Sequence, residues 1–128
     1  MGKDLDMGLD GQPVRVQLRR TKGWKMPPNT VKVARPTIFG NPWTVAGAIE
    51  VGYGPERAQA YCVELYREWL TTSVGLTHML KDSDYLRRLV VEGLPGLRGK
   101  NLACFCSLDE PCHADVLLEL ANKAPSRA

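Results

Sequence analysis

The chain has 128 residues, 44% of them hydrophobic and 24% charged, and its 17 basic residues exceed its 14 acidic residues by a net charge of only +3. This length and composition are typical of one globular domain and exclude a multidomain enzyme, a repeat protein and a collagen-like chain. No apolar run approaches the roughly 18 residues of a membrane span, and the acidic start MGKDLDMGLD does not resemble a secretory signal. We therefore expect a cytoplasmic protein with no membrane association.

The chain begins with a segment that shows no periodicity. Residues 1–12 are rich in Gly and Asp, so they are predicted to form a flexible N-terminal arm. A single α/β domain is predicted over residues 13–123, and residues 124–128 are predicted to be a C-terminal tail.

Two short strands open the predicted domain. Apolar and polar residues alternate from Val14 to Arg19, which is the period of a half-buried strand. A second strand is predicted over Thr30–Ala34. The Gly- and Pro-rich loop between them contains Trp24, and Trp43 lies in a later loop. Each tryptophan either stacks on a nucleobase or simply anchors its loop to the body of the domain.

Positive charge is concentrated in the stretch from Val14 to Pro36, which we call the basic segment. It contains seven cations and no acidic residue. Such a block suits phosphate or another anion, and the alternative is a solvated face that only aids solubility. The candidate anion-binding residues are Arg19, Arg20, Lys22, Lys25 and Arg35, with Asn41 of the following turn predicted to orient the ligand by hydrogen bonds.

The middle of the chain is predicted to be helical after an irregular stretch that ends at Gly54. One helix is predicted from Pro55 to about Leu70, with Cys62 and Trp69 on its apolar side as core residues. A second helix is predicted from Ser83 or Asp84 to Gly93, because Pro95 is expected to prevent continuation. His78, between these helices, has no recognisable partner.

The last two elements give the fold class. Asn101–Cys106 is short and apolar on both faces, as in a buried central strand, and Cys112–Asn122 has the pattern of a closing helix. The element order is therefore ββααβα. It predicts a small single-domain α/β sandwich in which about three helices cover a short mixed or partly parallel sheet.

Three cysteines and a histidine cluster at the junction of this strand and helix. Cys104, Cys106, Cys112 and His113 form a Cys₃His set, which is a known donor set for structural zinc. However, zinc sites usually have two or more residues between paired cysteines, so this spacing strains a tetrahedral site. Zinc is therefore one of three interpretations.

The second interpretation is catalytic. Cys112, at a helix N-terminus, becomes a thiolate nucleophile, or His113 acts as an acid or base. Neighbouring helical residues do not face each other, so we do not expect His113 to activate Cys112 directly. In the third interpretation the cysteines are small core residues and His113 is a hydrogen-bonding residue at the helix cap.

Three separated motifs add a family resemblance over about residues 14–122. They are Arg19–Pro27, then Arg35–Thr37 with Phe39–Trp43, and finally Cys104–Cys106 with Cys112–Leu117. In this order they resemble the small bacterial and phage family known as domain of unknown function 4326. The closing motif is also similar to the Cys-His-Arg end of domain of unknown function 488, although Ala114 replaces the arginine.

The resemblance implies that the Gly-Asn-Pro turn and the Cys-His corner belong to one site, but it supplies no activity. The occurrence of the family in phages implies a context of nucleotide or nucleic-acid chemistry. Our first hypothesis is therefore a protein that binds, and in an enzymatic version acts on, a phosphate-bearing ligand such as a nucleotide or nucleic acid. The alternative is a zinc-stabilised, non-enzymatic module that binds nucleic acid or a protein partner.

Overall fold

The computed structural model describes residues 12–71 and 83–123. Residues 1–11 of the predicted arm, the predicted tail and His78 lie outside the described residues. The elements are β1 (Arg15–Gln17), β2 (Thr30–Lys32), α1 (Val45–Glu50), α2 (Pro55–Thr71), α3 (Ser83–Leu97), β3 (Asn101–Cys104) and α4 (His113–Asn122).

The three strands form one parallel sheet in the order β1-β3-β2. Val16 pairs with Ala103 on one side of β3, and Val31 pairs with Leu102 on the other. All four residues of β3 are buried, as predicted for a central strand. The small α/β fold is thus confirmed, and in the described residues the sheet is entirely parallel rather than mixed.

The hydrophobic core lies between the sheet and the helices. α4 packs against β1 and β3, while α2 and α3 pack against α4. Leu102 of β3, Leu117 of α4 and Trp69 of α2 are among its largest fully buried side chains. Cys62 and Trp69 are buried, as the sequence predicts. Among the described residues, none of the helices combines the length and apolarity needed to cross a bilayer.

Helix α1 lies in a stretch that was predicted to be irregular. Thr44 caps it, because its hydroxyl oxygen accepts a hydrogen bond from the Gly47 N–H at 3.0 Å. Ala48 is its one buried residue. Six residues are too few to show a helical period in the sequence, so the prediction failed here.

Helix α3 passes through Pro95 to Leu97 and does not end at Gly93 as predicted. Pro95 lies in the final turn, and Leu97 is buried in the core. Burying a leucine contributes about 1.5 to 3 kcal/mol, which is comparable to the cost of a helical proline, about 3 kcal/mol. Packing therefore extends this helix beyond the point that local preference indicates.

Strand β3 ends at Cys104 and does not reach Cys106 as predicted. Its last ladder bonds run from the Val33 N–H to Ala103 O at 2.9 Å and from the Leu18 N–H to Cys104 O at 2.8 Å. Beyond this point Phe105 is exposed, and Cys106 lies in a bend. Both cysteines therefore lie at the carboxyl end of the sheet.

Candidate functional site

The carboxyl ends of the three strands open on a cavity of about 320 Å³. In open parallel sheets this edge is where ligands bind, because the loops that follow the strands converge there. The segments that follow β1, β2 and β3 each contribute to its wall, and α2 closes it on another side. The lining residues used below are Arg20, Arg35, Asn41, Trp43, Gln59, Cys62, Cys104, Phe105, Cys106 and His113.

Two arginines supply the positive charge of the cavity. Arg20 lies over the face of the Phe105 ring, with its guanidinium carbon 4.2 Å from the ring centroid. Lys32 approaches the same ring at 5.8 Å. Arg35 donates from Nη1 to the Asn41 carbonyl oxygen at 2.6 Å. Both guanidinium groups are thereby oriented by protein contacts.

The turn that carries Asn41 is held by the amide of that residue. Asn41 is buried; its Nδ2 donates to Cys62 O at 3.0 Å, and its Oδ1 accepts from the Trp43 N–H at 2.9 Å. Gly40 is required beside it, because a Cβ at this position would lie 2.5 Å from Cγ and 2.9 Å from Cα of Arg35. The turn therefore connects Arg35 to helix α2.

The inner wall of the cavity contains Cys104 and Cys106, and Cys112 lies buried behind them. We call these three residues the thiol cluster. Their three Sγ atoms all lie within 4.8 Å of one another, and those of Cys104 and Cys106 are 3.9 Å apart. Cys112 is completely buried, whereas Cys104 and Cys106 line the cavity. All four cysteines are free thiols. Three sulfur atoms this close could hold a metal ion.

The thiols of the cluster titrate together. Hydrogen bonds from Cys106 and Cys112 lower the pKa of Cys104 to about 2. Cys106 and Cys112 donate these hydrogen bonds and would lose them on ionisation. The pKa of each is therefore raised. The three thiols therefore titrate as a coupled group, in which hydrogen bonds from two of them favour ionisation of the third.

Cys112 and His113 begin helix α4 and contact each other. Cys112 is the extended N-cap residue, with φ −149° and ψ 148°, so it is free of the helical spacing that was expected to separate the two side chains. Its Sγ accepts from the Ala114 N–H at 3.4 Å and lies 3.7 Å from His113 Nδ1. The expectation that these neighbours do not face each other is therefore wrong.

The tautomer of His113 follows from its partner. Its Nε2 lies 2.8 Å from Val33 O, and because a carbonyl oxygen only accepts, Nε2 carries the proton and donates. Burial lowers the pKa of His113. The ring is thus neutral, with its unprotonated Nδ1 directed towards Cys112.

Arg15 holds the loop that joins Cys106 to Cys112. Its Nη2 donates to the carbonyl oxygens of Ser107, Leu108 and Glu110 at 3.1, 2.8 and 2.7 Å. Its Nη1 forms an ion pair with Asp115 at 3.0 Å, and only 9% of its side chain is exposed. This cation of the basic segment therefore has a structural role.

Gln59 of α2 fixes the other side of this loop. Its Nε2 donates to Pro111 O at 2.7 Å and to Cys106 Sγ at 3.2 Å. The carbonyl partner requires the NH₂ group of the amide to face the loop, so the contact with sulfur is also a donated hydrogen bond. Gln59 thereby connects α2 to the thiol cluster.

The structure brings together seven of the ten predicted site residues. Arg20, Arg35, Asn41 and three members of the Cys₃His set line the cavity, with Cys112 directly behind them. Arg19, Lys22 and Lys25 are exposed and do not contribute to its described lining. Trp43 lines the cavity and packs edge-on against Trp69 at 5.6 Å, whereas Trp24 packs against the core.

Sequence reasoning missed Gln59, Phe105 and Arg15 as contributors to the site. Gln59 lies three residues before Cys62, so both occupy one face of α2. A polar residue on the apolar side of a helix was the available signal. Arg15 gave no such signal, because its partners lie more than 90 residues away.

A family model described as "Domain of unknown function (DUF4326)" matches residues 16–123. The match extends from β1 to the end of α4 and includes every residue of the cavity wall named above. No curated protein and no solved structure matches the chain.

Proposed function

Because this chain belongs to the DUF4326 family, whose description assigns no activity, we propose its function from the site: it binds a phosphate-bearing ligand, such as a nucleotide or a nucleic-acid end. One observation carries the proposal. Arg20, Arg35 and two cysteines of the thiol cluster line one cavity at the carboxyl edge of a parallel sheet. A volume of about 320 Å³ is within the usual range for small-molecule sites.

The two arginines support an anionic ligand. Guanidinium groups keep their charge at any physiological pH, and their fork of N–H groups matches the oxygen atoms of phosphate. The guanidinium carbon of Arg20 lies 4.2 Å from the centroid of the Phe105 ring, and among the described residues Arg20 has no hydrogen-bond partner, so its N–H groups are available to a ligand. Arg35 is fixed through Nη1, which orients the remaining N–H groups. Preorganised donors cost less to order on binding.

The thiol cluster supports reactivity in the same cavity. Cys104 has the lowered pKa and lines the cavity, whereas Cys112 has no exposed surface. A nucleophile must reach its substrate, so Cys104 is better positioned than Cys112 for that role. The predicted catalytic roles of Cys112 and His113 stay predictions, and His113 also lines the cavity.

Adjacent arginines give a matched test of ligand binding. A panel of nucleotides and inorganic phosphate is screened by thermal shift; a ligand at about 100 times its Kd stabilises the protein by roughly 2.7 kcal/mol. Arg20→Ala should weaken binding about 10- to 100-fold, since a hydrogen bond to a charged group contributes about 1.5 to 3 kcal/mol. Arg19→Ala, outside the cavity lining, should bind as the parent does.

Two results would contradict the proposal. One is the absence of any shift with all phosphate-bearing ligands, and the other is an equal loss of affinity in Arg19→Ala and Arg20→Ala. In the second case the ligand binds along the exposed basic segment rather than in the cavity.

A second candidate function rests on the distances within the thiol cluster. Three Sγ atoms within 4.8 Å favour a zinc-stabilised module that binds nucleic acid or protein without catalysis. The purified protein should then contain about one zinc per chain, and a chelator should lower its melting temperature. This candidate would be excluded if the purified protein contained no metal and its melting temperature were the same with and without the chelator.

A further inference from the structure

The spacing of the thiol cluster matches the ligand spacing of a tetrahedral metal site. Thiolates that bind zinc at about 2.3 Å in a tetrahedron are about 3.8 Å apart. The Sγ atoms of Cys104 and Cys106 are 3.9 Å apart, and all three lie within 4.8 Å. Only small side-chain adjustments therefore separate the cluster from a three-thiolate site. The Cys-x-Cys spacing is expected to strain a tetrahedral site. That strain is avoided here because β3 ends at Cys104, and Cys106 lies in the bend that follows.

His113 does not complete this site as a fourth ligand. Within the described residues, the mutually close group contains the three cysteines and not the histidine. Nε2 of His113 donates to Val33 O at 2.8 Å, and its Nδ1 lies 3.7 Å from Cys112 Sγ but not within 4.8 Å of all three sulfur atoms. A metal ion held by the three thiolates would therefore bind the ring only if the ring shifted towards the cluster.

The fourth side of the cluster is open to the cavity. Cys104 and Cys106 line the cavity, whereas Cys112 lies behind them with no exposed surface. The sulfur triangle is therefore part of the cavity wall, and an ion bound to it is accessible from the side of Arg20 and Arg35. Three protein ligands with an accessible fourth position are typical of catalytic zinc, whereas structural zinc sites are closed.

Groups around the cluster also suit bound thiolates. Cys106 Sγ accepts from Gln59 Nε2 at 3.2 Å, and Cys112 Sγ accepts from the Ala114 N–H at 3.4 Å. Such donors orient ligating sulfur atoms and reduce their negative charge. Three thiolates with one divalent cation leave a net charge of −1, and the two arginines of the cavity compensate it.

We propose that Cys104, Cys106 and Cys112 bind a thiophilic divalent cation such as Zn²⁺ and leave one exchangeable coordination position that faces the cavity. This inference goes beyond both functions above, because it joins the metal to the ligand cavity. A cation in this position attracts and polarises a ligand oxygen, and the arginines bind the rest of the anion. The site therefore suits a ligand whose phosphate or carbonyl oxygen can enter the metal's coordination shell.

Cobalt is the probe for this site, because its spectrum reports both thiolate ligands and coordination number. The reduced, metal-free full chain is titrated with Co²⁺, and we expect a thiolate charge-transfer band that saturates at about one cobalt per chain. Imidazole is then added. It is neutral and so does not require the arginines, and we expect it to shift the visible cobalt bands by entering the open position.

Variants identify the ligands. Cys106 is the most exposed member of the cluster, and Cys106→Ala should lose most of the charge-transfer band. Cys62 lines the same cavity but lies outside the cluster, so Cys62→Ala should keep the band. Gln59→Ala should weaken cobalt binding about 10- to 100-fold, as expected for loss of an outer-shell partner.

Arg20→Ala should retain the response to imidazole even if anion binding is lost. A failure of the proposed function is thereby distinguished from a failure of the metal site.

Three outcomes would overturn the proposal. The first is a titration without a charge-transfer band. The second is an unchanged spectrum on addition of imidazole, which would mean a closed site. The third is a cobalt spectrum altered in His113→Gln as it is in Cys106→Ala, which would make His113 the fourth ligand. The first two outcomes are read from the parent protein, so they do not depend on whether a variant folds.

Discussion

At the scale of single residues, Asn41 connects the two sides of the cavity through its buried amide. Replacing it with alanine leaves the Trp43 N–H without its partner and removes one hydrogen bond from Cys62 O, which as a carbonyl inside α2 also accepts within the helix. An unsatisfied buried N–H costs about 1 to 3 kcal/mol and a lost hydrogen bond about 0.5 to 1.5 kcal/mol, so Asn41→Ala should lower the free energy of unfolding by about 1.5 to 4.5 kcal/mol. Urea denaturation monitored by Trp fluorescence measures this loss.

Asn122→Ala is the matched control. Asn122 also makes two hydrogen bonds to the backbone, at 2.9 Å with the Gly99 N–H and 2.8 Å with Leu118 O, but it lies closer to solvent. Water replaces its partners, so the expected loss is about 0.5 to 1.5 kcal/mol. Equal losses in the two variants would mean that the amide of Asn41 does not hold the turn.

Single residues also show how far the sequence determines the site. The cysteine cluster and the choice of Arg20, Arg35 and Asn41 as candidate ligand-binding residues follow from residue type and local spacing, because strand ends and helix starts can be located in the sequence. The separation of Arg20 from Arg19 in the structure does not, since it depends on the direction of each side chain in the segment that follows β1. Gln59 reaches Cys106 only because α2 packs beside the loop, a contact between residues 47 positions apart.

At the scale of elements, Arg15 of β1 controls the loop from Ser107 to Pro111. Arg15→Lys keeps the charge, but one ammonium nitrogen cannot replace both Nη2, which contacts three carbonyl oxygens of the loop, and Nη1, which pairs with Asp115. Backbone amides of this loop should therefore exchange faster with deuterium, and binding of Co²⁺ by the adjacent thiol cluster should weaken. Hydrogen exchange with mass spectrometry measures the first effect directly.

Arg67→Lys provides the comparison for Arg15→Lys. Arg67 of α2 forms an exposed ion pair with Glu119 of α4 at 2.6 Å, and such pairs contribute about 0 to 1 kcal/mol. Exchange in the loop should be unchanged in this variant. If Arg15→Lys also leaves the loop unchanged, Gln59 alone holds it.

The elements that sequence patterns located least well share one cause. Helix α1 is shorter than two helical turns, and its presence depends on the Thr44 cap and on contact with α2. Helix α3 continues through Pro95 because Leu97 enters the core. In both cases tertiary packing outweighs local preference, whereas the longer periodic helix α2 and the apolar strand β3 were predicted to within a few residues.

At the scale of the whole molecule, β3 links every layer of the core. Leu102 is fully buried between β1 and β2, so Leu102→Ala should cost about 2 to 5 kcal/mol. Such a loss is a large fraction of the 5 to 15 kcal/mol typical of a domain of this size. Leu108→Ala, at a residue that is 56% exposed, should change stability by less than about 0.5 kcal/mol. Thermal unfolding followed by circular dichroism compares the two, and a similar melting temperature for both would show that β3 is not the centre of the core.

The strand order also sets a condition on biosynthesis. The centre of the sheet is the last strand to be made, and neither edge strand pairs with the other, so both pairings join residues about 70 or more positions apart. While the chain grows on the ribosome, β1 and β2 stay without a hydrogen-bonding partner until Cys104 has emerged. A nascent chain that stalls before Asn101 therefore presents unpaired strand edges, the surfaces that chaperones protect from aggregation. In this protein, translation must reach the cysteine-bearing segment before the sheet can form at all.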